Sequence, residues 1–413
     1  MVSKRKITAY WRFRVRLNSA LPCSSFQTTL QFGEVALANL ETWITPPAKG
    51  GDGWGEVKSC LFVSLTTKEG AVGWGEAFVL PYREKAVAEI IHALGRAAGT
   101  LGTVSPWLFR DLATQVAARH PSLDFCAASS ALEMALWDIC GKLADKPLCD
   151  LLGGDYRRAI RVYGNIWSGT QWDVGSLEAR ANDLVAKGYR AVKIHPMLNH
   201  SAHEAATCVT RVRAAIGDEI DLMVDLDSQP DPGVALQVAE AIKPARPYWF
   251  EEPVEGCNVQ ALAKIRKASG LRVVTGEKHC NLAHFRAVLA AGAADILNPD
   301  IAGIGGILDL LEVAELADQR GFYIAPHCWN SMTVAAAAML HVCASIPNAE
   351  MAEIYPEYID HGATFATTGF CLDEGRAFLS GKPGLGVEID VLALRSLSAY
   401  YHSTCLTMAE AAP

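Results

Sequence analysis

The chain has no apolar run approaching the roughly 18 residues a membrane span needs, and no Cys-x-x-Cys pair among its 12 cysteines. The first absence argues against a spanning helix. The second removes the zinc-ribbon and thioredoxin-like readings. Twelve cysteines scattered over 413 residues are also too sparse for a disulfide scaffold, and they read as reduced thiols. No Gly-x-Gly-x-x-Gly follows the first strand of the alternating region, which weighs against a dinucleotide fold. There is no surplus of positive charge: 37 Lys and Arg stand against 45 Asp and Glu, a formal charge of −8. Nucleic acid is therefore not an expected partner, and neither is a membrane. Half the residues are hydrophobic and a fifth charged, which excludes whole-chain disorder. The expectation is a soluble, cytoplasmic protein of two or three domains, or one large barrel with an appendage.

Residues 1–33 lack acid altogether while carrying six basic residues; Glu34 is the first carboxylate. Such a start resembles a transit peptide and reads equally as a disordered tail or an early start codon. It is set aside as a basic extension.

Residues 34–45 and 58–67 alternate like strands, around a loop of breakers from Thr45 to Gly55. Gly-Trp-Gly-Glu occurs at 53–56 and again at 73–76; nothing around the copies repeats, so they read as coincidence. Residues 83–101, 105–119 and 123–145 have helical spacing. Together 34–155 predict an α+β unit. From 156 to 365 short apolar runs alternate with helical stretches: Ile160–Tyr163, Ala191–Ile194, Ile220–Val224, Tyr248–Phe250, Arg272–Thr275, Ile296–Asn298, Phe322–Ala325 and Ala349–Ala352. Crossovers of that length pair strands in parallel, and eight of them predict a (β/α)8 barrel. The fold class is α/β, a modified TIM-like barrel under an N-terminal α+β cap. Residues 366–413 are expected to pack back on the cap.

A barrel enzyme works at the C-terminal ends of its strands. From the second strand onward the closing residues are Lys193 with His195, Asp225 with Asp227, Glu251, Glu277, Asp300, His327 and Glu353, spaced 32, 26, 26, 23, 27 and 26 residues apart from Lys193. Asp225, Glu251 and Glu277 come from adjacent strands. Three unpaired carboxylates do not share a site at neutral pH without a cation, and oxygen-only ligands suit Mg2+. The bland alternative pairs each acid with a neighbouring Lys or Arg. Lys193 and His195 alternate on one strand and point inward together. Asp300, one strand from His327, is placed to hold and polarise an imidazole. A cation on a substrate carboxylate stabilises the ene-diolate left when the adjacent carbon loses its proton. His195 and His327 would then flank that plane.

These residues resemble the mandelate racemase subgroup of the enolase superfamily over roughly residues 34–390. The resemblance rests on Val192-Lys193-Ile194-His195, Met223-Val224-Asp225-Leu226-Asp227, Phe250-Glu251-Glu252-Pro253, Gly276-Glu277-Lys278, Asn298-Pro299-Asp300, Ala325-Pro326-His327 and Ala352-Glu353. It implies Mg2+ on Asp225, Glu251 and Glu277, a His327–Asp300 dyad as one acid/base, and Glu353 as a hydrogen-bond donor or electrophile at the substrate carboxylate. It also implies a homo-oligomer. Many members carry Lys-x-Lys where this chain has Lys193 and His195, so the second base departs from the pattern.

Asn330 and Ser331, beside His327, also resemble the sugar-acid dehydratases of the subgroup, and Asn330 is a candidate substrate contact. Lys193, Asp227 and His279 are further candidate substrate contacts, and the first loop of the cap offers Lys49, Asp52 and Trp54. Gly303-Ile304-Gly305-Gly306 reads as a tight turn before a helix rather than a phosphate cradle. The leading expectation is a Mg2+-dependent dehydratase giving a 2-keto-3-deoxy acid from an aldonic or aldaric acid. A racemase or epimerase of a 2-hydroxy acid is the alternative on the same site, and a non-catalytic metal-binding barrel the remote one.

Overall fold

Three antiparallel strands, β1 (Leu37–Ile44), β2 (Leu61–Thr67) and β3 (Val72–Ala77), begin the described chain. The structure, a computed structural model, describes residues 34–46, 59–154, 159–166, 173–196, 201–329 and 331–407. The basic extension, Lys49, Asp52 and Trp54 of the first cap loop, and Asn330 lie outside the described residues. So does the Gly-Trp-Gly-Glu copy at 53–56. Among the described residues no helix is long and apolar enough to cross a membrane.

Helices α1 (Glu84–Gly99), α2 (Pro106–Ala117) and α3 (Leu123–Leu143) follow. Ser105 and Ser122 cap the second and third, accepting from Leu108 N–H and Phe125 N–H, as their residue type favours. From Cys126 to Gly141 every residue of α3 is buried, so its surroundings must be backbone-close on more than one side. The copy of Gly-Trp-Gly-Glu at 73–76 supplies one side. A Cβ on Gly73 or Gly75 would lie 2.1 or 1.9 Å from the carbonyl oxygens of Ala135 and Ala131 in α3. Only glycine lets strand and helix meet at that distance, while Trp74 stacks 5.1 Å from Trp43 in the cap core.

After a short helix α4 (Leu148–Leu151), eight parallel strands close a barrel: β4 (Ile160–Ile166), β5 (Ala191–Ile194), β6 (Asp221–Asp225), β7 (Trp249–Glu251), β8 (Val273–Thr275), β9 (Ile296–Leu297), β10 (Tyr323–Ile324) and β11 (Ala352–Ile354). β11 pairs with β4, and Ile324 bridges to Ala349 just ahead of β11, which completes the ring. The helices outside are α5 (Val174–Ala186), α6 (Ala202–Ile216), α7 (Pro232–Ile242), α8 (Val259–Ser269), α9 (Leu282–Ala291), α10 (Ile307–Asp318) and α11 (Thr333–Ser345).

Each strand sends one apolar side chain inward to a single buried layer: Tyr163, Ala191, Met223, Trp249, Val274, Ile296, Ala325 and Met351. Two residues further along each strand, facing the same way, stand Asn165, Lys193, Asp225, Glu251, Gly276, Asn298, His327 and Glu353. The period of two alone thus lifts a polar ring onto an apolar floor. At the eighth-numbered strand the ring position is Gly276, whose φ of +142° turns the chain so that Glu277 enters instead.

The segment after the barrel divides between both units rather than returning only to the cap. A hairpin, Phe370–Asp373 with Arg376–Leu379, pairs with β4 through Ala377 and Ile160, whereas Tyr400–Cys405 pairs antiparallel with β1. Asp138 of α3 fastens this segment, accepting from Leu385 N–H at 2.8 Å and Trp74 N–H at 3.0 Å.

Helix α11 is buried along its whole length, and its His341 accepts a hydrogen bond from Cys149 N–H through Nδ1 at 3.1 Å. Burial holds this imidazole down to about 4. The neutral form is therefore the folded one. Its stabilisation is complete above the unfolded value near 6.5 and is lost as the pH falls toward 4, by about 3 kcal/mol. Asparagine keeps an acceptor where Nδ1 sits but does not titrate there. The expected result is that the melting-temperature advantage of the native chain over His341→Asn shrinks between pH 7 and pH 4. An advantage constant across that window would show that His341 takes no part in acid sensitivity.

Candidate active site

The polar ring opens into a cavity of about 600 Å3 under the cap, with His195, Asp225, Asp227, Glu277, Lys278 and His327 on its barrel side. Donor atoms of Asp225, Glu251 and Glu277 lie within 4.8 Å of one another. Strand ends β6 and β7 are in register at Asp225 and Glu251, which is why two of the three meet. The set is oxygen-only, which fits a hard divalent cation such as Mg2+. It is also unbalanced as it stands. Burial, reinforced by neighbouring acids, pushes Glu251 up despite Lys193, and burial pushes Glu277 up to about 7 against His327 and Lys278. Asp225 goes the other way, to about 2, because His195 and Lys193 outweigh its burial.

Lys193 is wholly enclosed. Its Nζ donates to Glu251 at 2.6 Å and lies 2.9 Å from Glu353 and 3.4 Å from Asp225. Glu251 receives two further bonds, from Trp249 Nε1 at 2.8 Å and Asn298 Nδ2 at 3.0 Å. Its orientation is therefore set from three strands.

Asp300 and His327 pair across adjacent strands. Their backbones form a parallel bridge, and His327 Nδ1 sits 2.7 Å from Asp300 Oδ2. The other nitrogen, Nε2, lies 3.3 Å from Glu277 and 3.6 Å from Glu353. Burial would lower this imidazole, but Glu353, Glu277 and Asp300 raise it to about 10. His195 stands opposite in character: its Nε2 lies 3.1 Å from Asn165 Oδ1 and its Nδ1 3.4 Å from Asp225, and burial lowers it to about 4. Glu353, expected as a hydrogen-bond donor or electrophile at a substrate carboxylate, accepts within the chain from Lys193, from Asn165 Nδ2 at 2.7 Å and from Cys328 N–H at 2.8 Å. Burial would raise it, yet Lys193 and His327 hold it at about 2.

His279 is a correction. Alternation from Glu277 places it in the cavity, but β8 has ended at Thr275 and Gly276 has broken the alternation. His279 packs edge-on against Phe285 at 5.2 Å, buried away from the cavity. Lys278 lines it instead and bonds Asp227 at 3.1 Å and Ser228 at 2.7 Å.

Several contributors escaped the sequence reading. Asn165 stands next to last in the first barrel strand, two residues beyond where the apolar run stops. Glu252 orders the β8 end by accepting from Thr275 Oγ1 at 2.6 Å and Gly276 N–H at 3.0 Å. From the cap, Phe78, Leu80, Pro81, Tyr82 and Arg83 line the cavity. The available signal was their place just past β3, beside Leu80-Pro81-Tyr82, an apolar stretch ahead of a helix.

The fold and the site together define a capped (β/α)8-barrel protein with an acidic triad and two imidazoles at the barrel mouth. The chain belongs to the enolase superfamily, in its mandelate racemase subgroup. Residues 176–393 match the family described as enolase C-terminal domain-like, and 38–153 match the mandelate racemase / muconate lactonizing enzyme N-terminal domain. The chain is similar to the D-galactonate dehydratase of Klebsiella pneumoniae, 30% identical over 373 residues that cover 86% of this chain and 92% of that protein. It is 29% identical over 280 residues to the D-gluconate dehydratase of Thermoproteus tenax, covering 65% of this chain but only about half, 55%, of that relative. Among solved structures it is similar to an enolase from environmental shotgun sequencing of the Sargasso Sea, with TM-score 0.86 and 39% identity over 90% of this chain and 99% of that one.

Proposed function

We propose that the chain dehydrates an aldonic or aldaric acid to its 2-keto-3-deoxy acid. The observation that carries the reading is one cavity lined by Asp225 and Glu277 of the acidic triad and by two imidazoles, one of them held by a buried aspartate at 2.7 Å. Asp225, Glu251 and Glu277 would hold Mg2+. When bound, that cation supplies positive charge beside the substrate's carboxylate, easing loss of the adjacent proton.

The chain's own residues do the rest. Lys193, fixed by Glu251 and Glu353, faces the same carboxylate, and Asp227 and Lys278 meet its hydroxyls. One imidazole removes the C2 proton. The other gives a proton to the C3 hydroxyl, which leaves as water with the C3–O bonding pair. The resulting enol takes up a proton at C3 and becomes the 2-keto acid. The cap residues Phe78–Arg83 close over the cavity and keep bulk water from the carbanionic stage. The dehydratase activities of the Klebsiella and Thermoproteus relatives support elimination over racemisation on this frame.

Proton NMR in D2O, with Mg2+ and a panel of aldonic, aldaric and simple 2-hydroxy acids, tests the reading. Resonances of a 2-keto-3-deoxy product are expected. Exchange of the α-proton or growth of an epimer without any keto product would replace dehydration by racemisation.

A further inference from the structure

Five barrel helices, α5 to α9, begin with a cap from their own sequence: Asp173, Ser201, Asp231, Asn258 and Asn281 each accept a first-turn N–H. The next two do not. Helix α10 starts after Gly306 and α11 after Met332, and neither residue offers a side-chain acceptor. Their first-turn donors are met from the cap domain. Leu308 N–H donates to Glu133 of α3 at 2.9 Å. Met332 and Ala335 N–H donate to the two oxygens of Glu76 of β3 at 2.7 and 3.0 Å.

Both carboxylates are fully buried. The turn entering α10 is gripped as well: Gly305 N–H donates to Ser130 and Ser129 donates to Gly305 O, each at 2.9 Å. A Cβ on Gly306 would fall 1.7 Å from Glu133 Oε2, at a φ of +145°, so barrel turn and cap carboxylate are fitted to each other. The tight-turn reading of Gly303–Gly306 therefore stands, and an internal carboxylate occupies the place a phosphate would take.

These two helices are the ones that follow β9 and β10, the strands that deliver Asp300 and His327. Met332 is five residues from His327, and Gly306 six from Asp300. We propose that Glu76 and Glu133 are positioning residues for the His327–Asp300 pair, acting through the loops between each strand and its helix. This rests on the reading of that pair as an acid/base unit. First-turn N–H groups are donors without intrahelical partners and carry partial positive charge. Burial raises both carboxyl groups, Glu76 to about 7 and Glu133 to about 8, and their oxygens accept these N–H groups whether or not the group is ionised. The cap thus sets two loops whose displacement would change the direction of His327 Nε2.

Asp138 is the control. It is buried in the same helix as Glu133 and accepts two backbone N–H bonds, from Trp74 and Leu385, but touches neither loop. The experiment uses the full chain with Mg2+ and two readouts. One is kcat and KM on the substrate found by NMR. The other is the downfield Nδ1–H resonance of His327 in histidine-labelled protein, identified by its loss in His327→Asn.

Glu76→Ala and Glu133→Ala are each expected to lower kcat about 10- to 100-fold with KM little changed, and to move the resonance. Glu76→Gln and Glu133→Gln keep an oxygen acceptor and should fall between alanine and native. Asp138→Asn should lower the melting temperature and leave both readouts in place. Native kcat with an unmoved resonance in the alanine variants overturns the proposal, as does an equal loss in Asp138→Asn. Where the alanine variants do not fold, the glutamine variants decide by the same resonance. A native enzyme that turned over no sugar acid would defeat the proposed function alone, because the resonance needs no substrate.

Discussion

His327→Asn is expected to cut turnover by about 10²–10⁴-fold while the protein stays folded and keeps its Mg2+ response. Asparagine reaches Asp300 much as Nδ1 does, at 2.7 Å in the native chain, but has no second nitrogen to exchange a proton in the cavity. Of the neighbours of His327, Glu353 is tied by three donors, Glu277, 3.3 Å from Nε2, belongs to the acidic triad, and His195 lies on β5's side of the ring. Rate and melting temperature are measured together. A variant that keeps native turnover would remove His327 from the chemistry. His195→Asn separates the two imidazoles. The variant lacking the base should give no deuterium at C2, and the variant lacking the acid should exchange there without eliminating. That comparison is sharp because the environments differ so far, His195 lying near 4 and His327 near 10.

Chelation is the second large effect. Stripping divalent ions should abolish turnover, and Mg2+ should restore it. Three carboxylates with donor atoms within 4.8 Å repel one another, and Lys193 neutralises only part of that charge. A cation binding the folded chain alone stabilises it by about 2.7 kcal/mol at a hundred times its dissociation constant. Melting temperature should accordingly rise with Mg2+ in the native chain and not in Glu251→Gln or Glu277→Gln. A native melting temperature indifferent to Mg2+ would mean that these acids only bridge strands. Calorimetric titration of Mg2+ gives the same answer without substrate.

Much of the site was legible in the chain because it depends on a local rule. A β-strand alternates with period two, and crossover units repeat at a nearly even interval. An ionisable residue at each apolar run's end therefore announces a ring at the barrel mouth. Lys193, Asp225, Glu251, His327 and Glu353 obey that rule residue for residue, two places beyond the apolar floor. Where a local feature broke the period, the rule misplaced a side chain. Gly276 did so at β8, admitting Glu277 and Lys278 while sending His279 behind the strand against Phe285. Asn165 was passed over because β4 runs on to Ile166 through glycine and asparagine, which do not read as strand.

The sequence by itself determined the alternation, the parallel pairing and which residue types crown each strand, since these follow from neighbours only a few positions apart. Contacts between distant segments were decided by the tertiary structure. No local signal joins Glu76 to Met332 or Glu133 to Leu308, which are 256 and 175 residues apart. Nor does any local signal bring Phe78–Arg83 over the cavity or direct Tyr400–Cys405 to β1. An orphaned N–H at a helix start requires an acceptor but does not specify its source. For α5 to α9 the source is the preceding residue, and for α10 and α11 only the docking of the cap against the barrel supplies it.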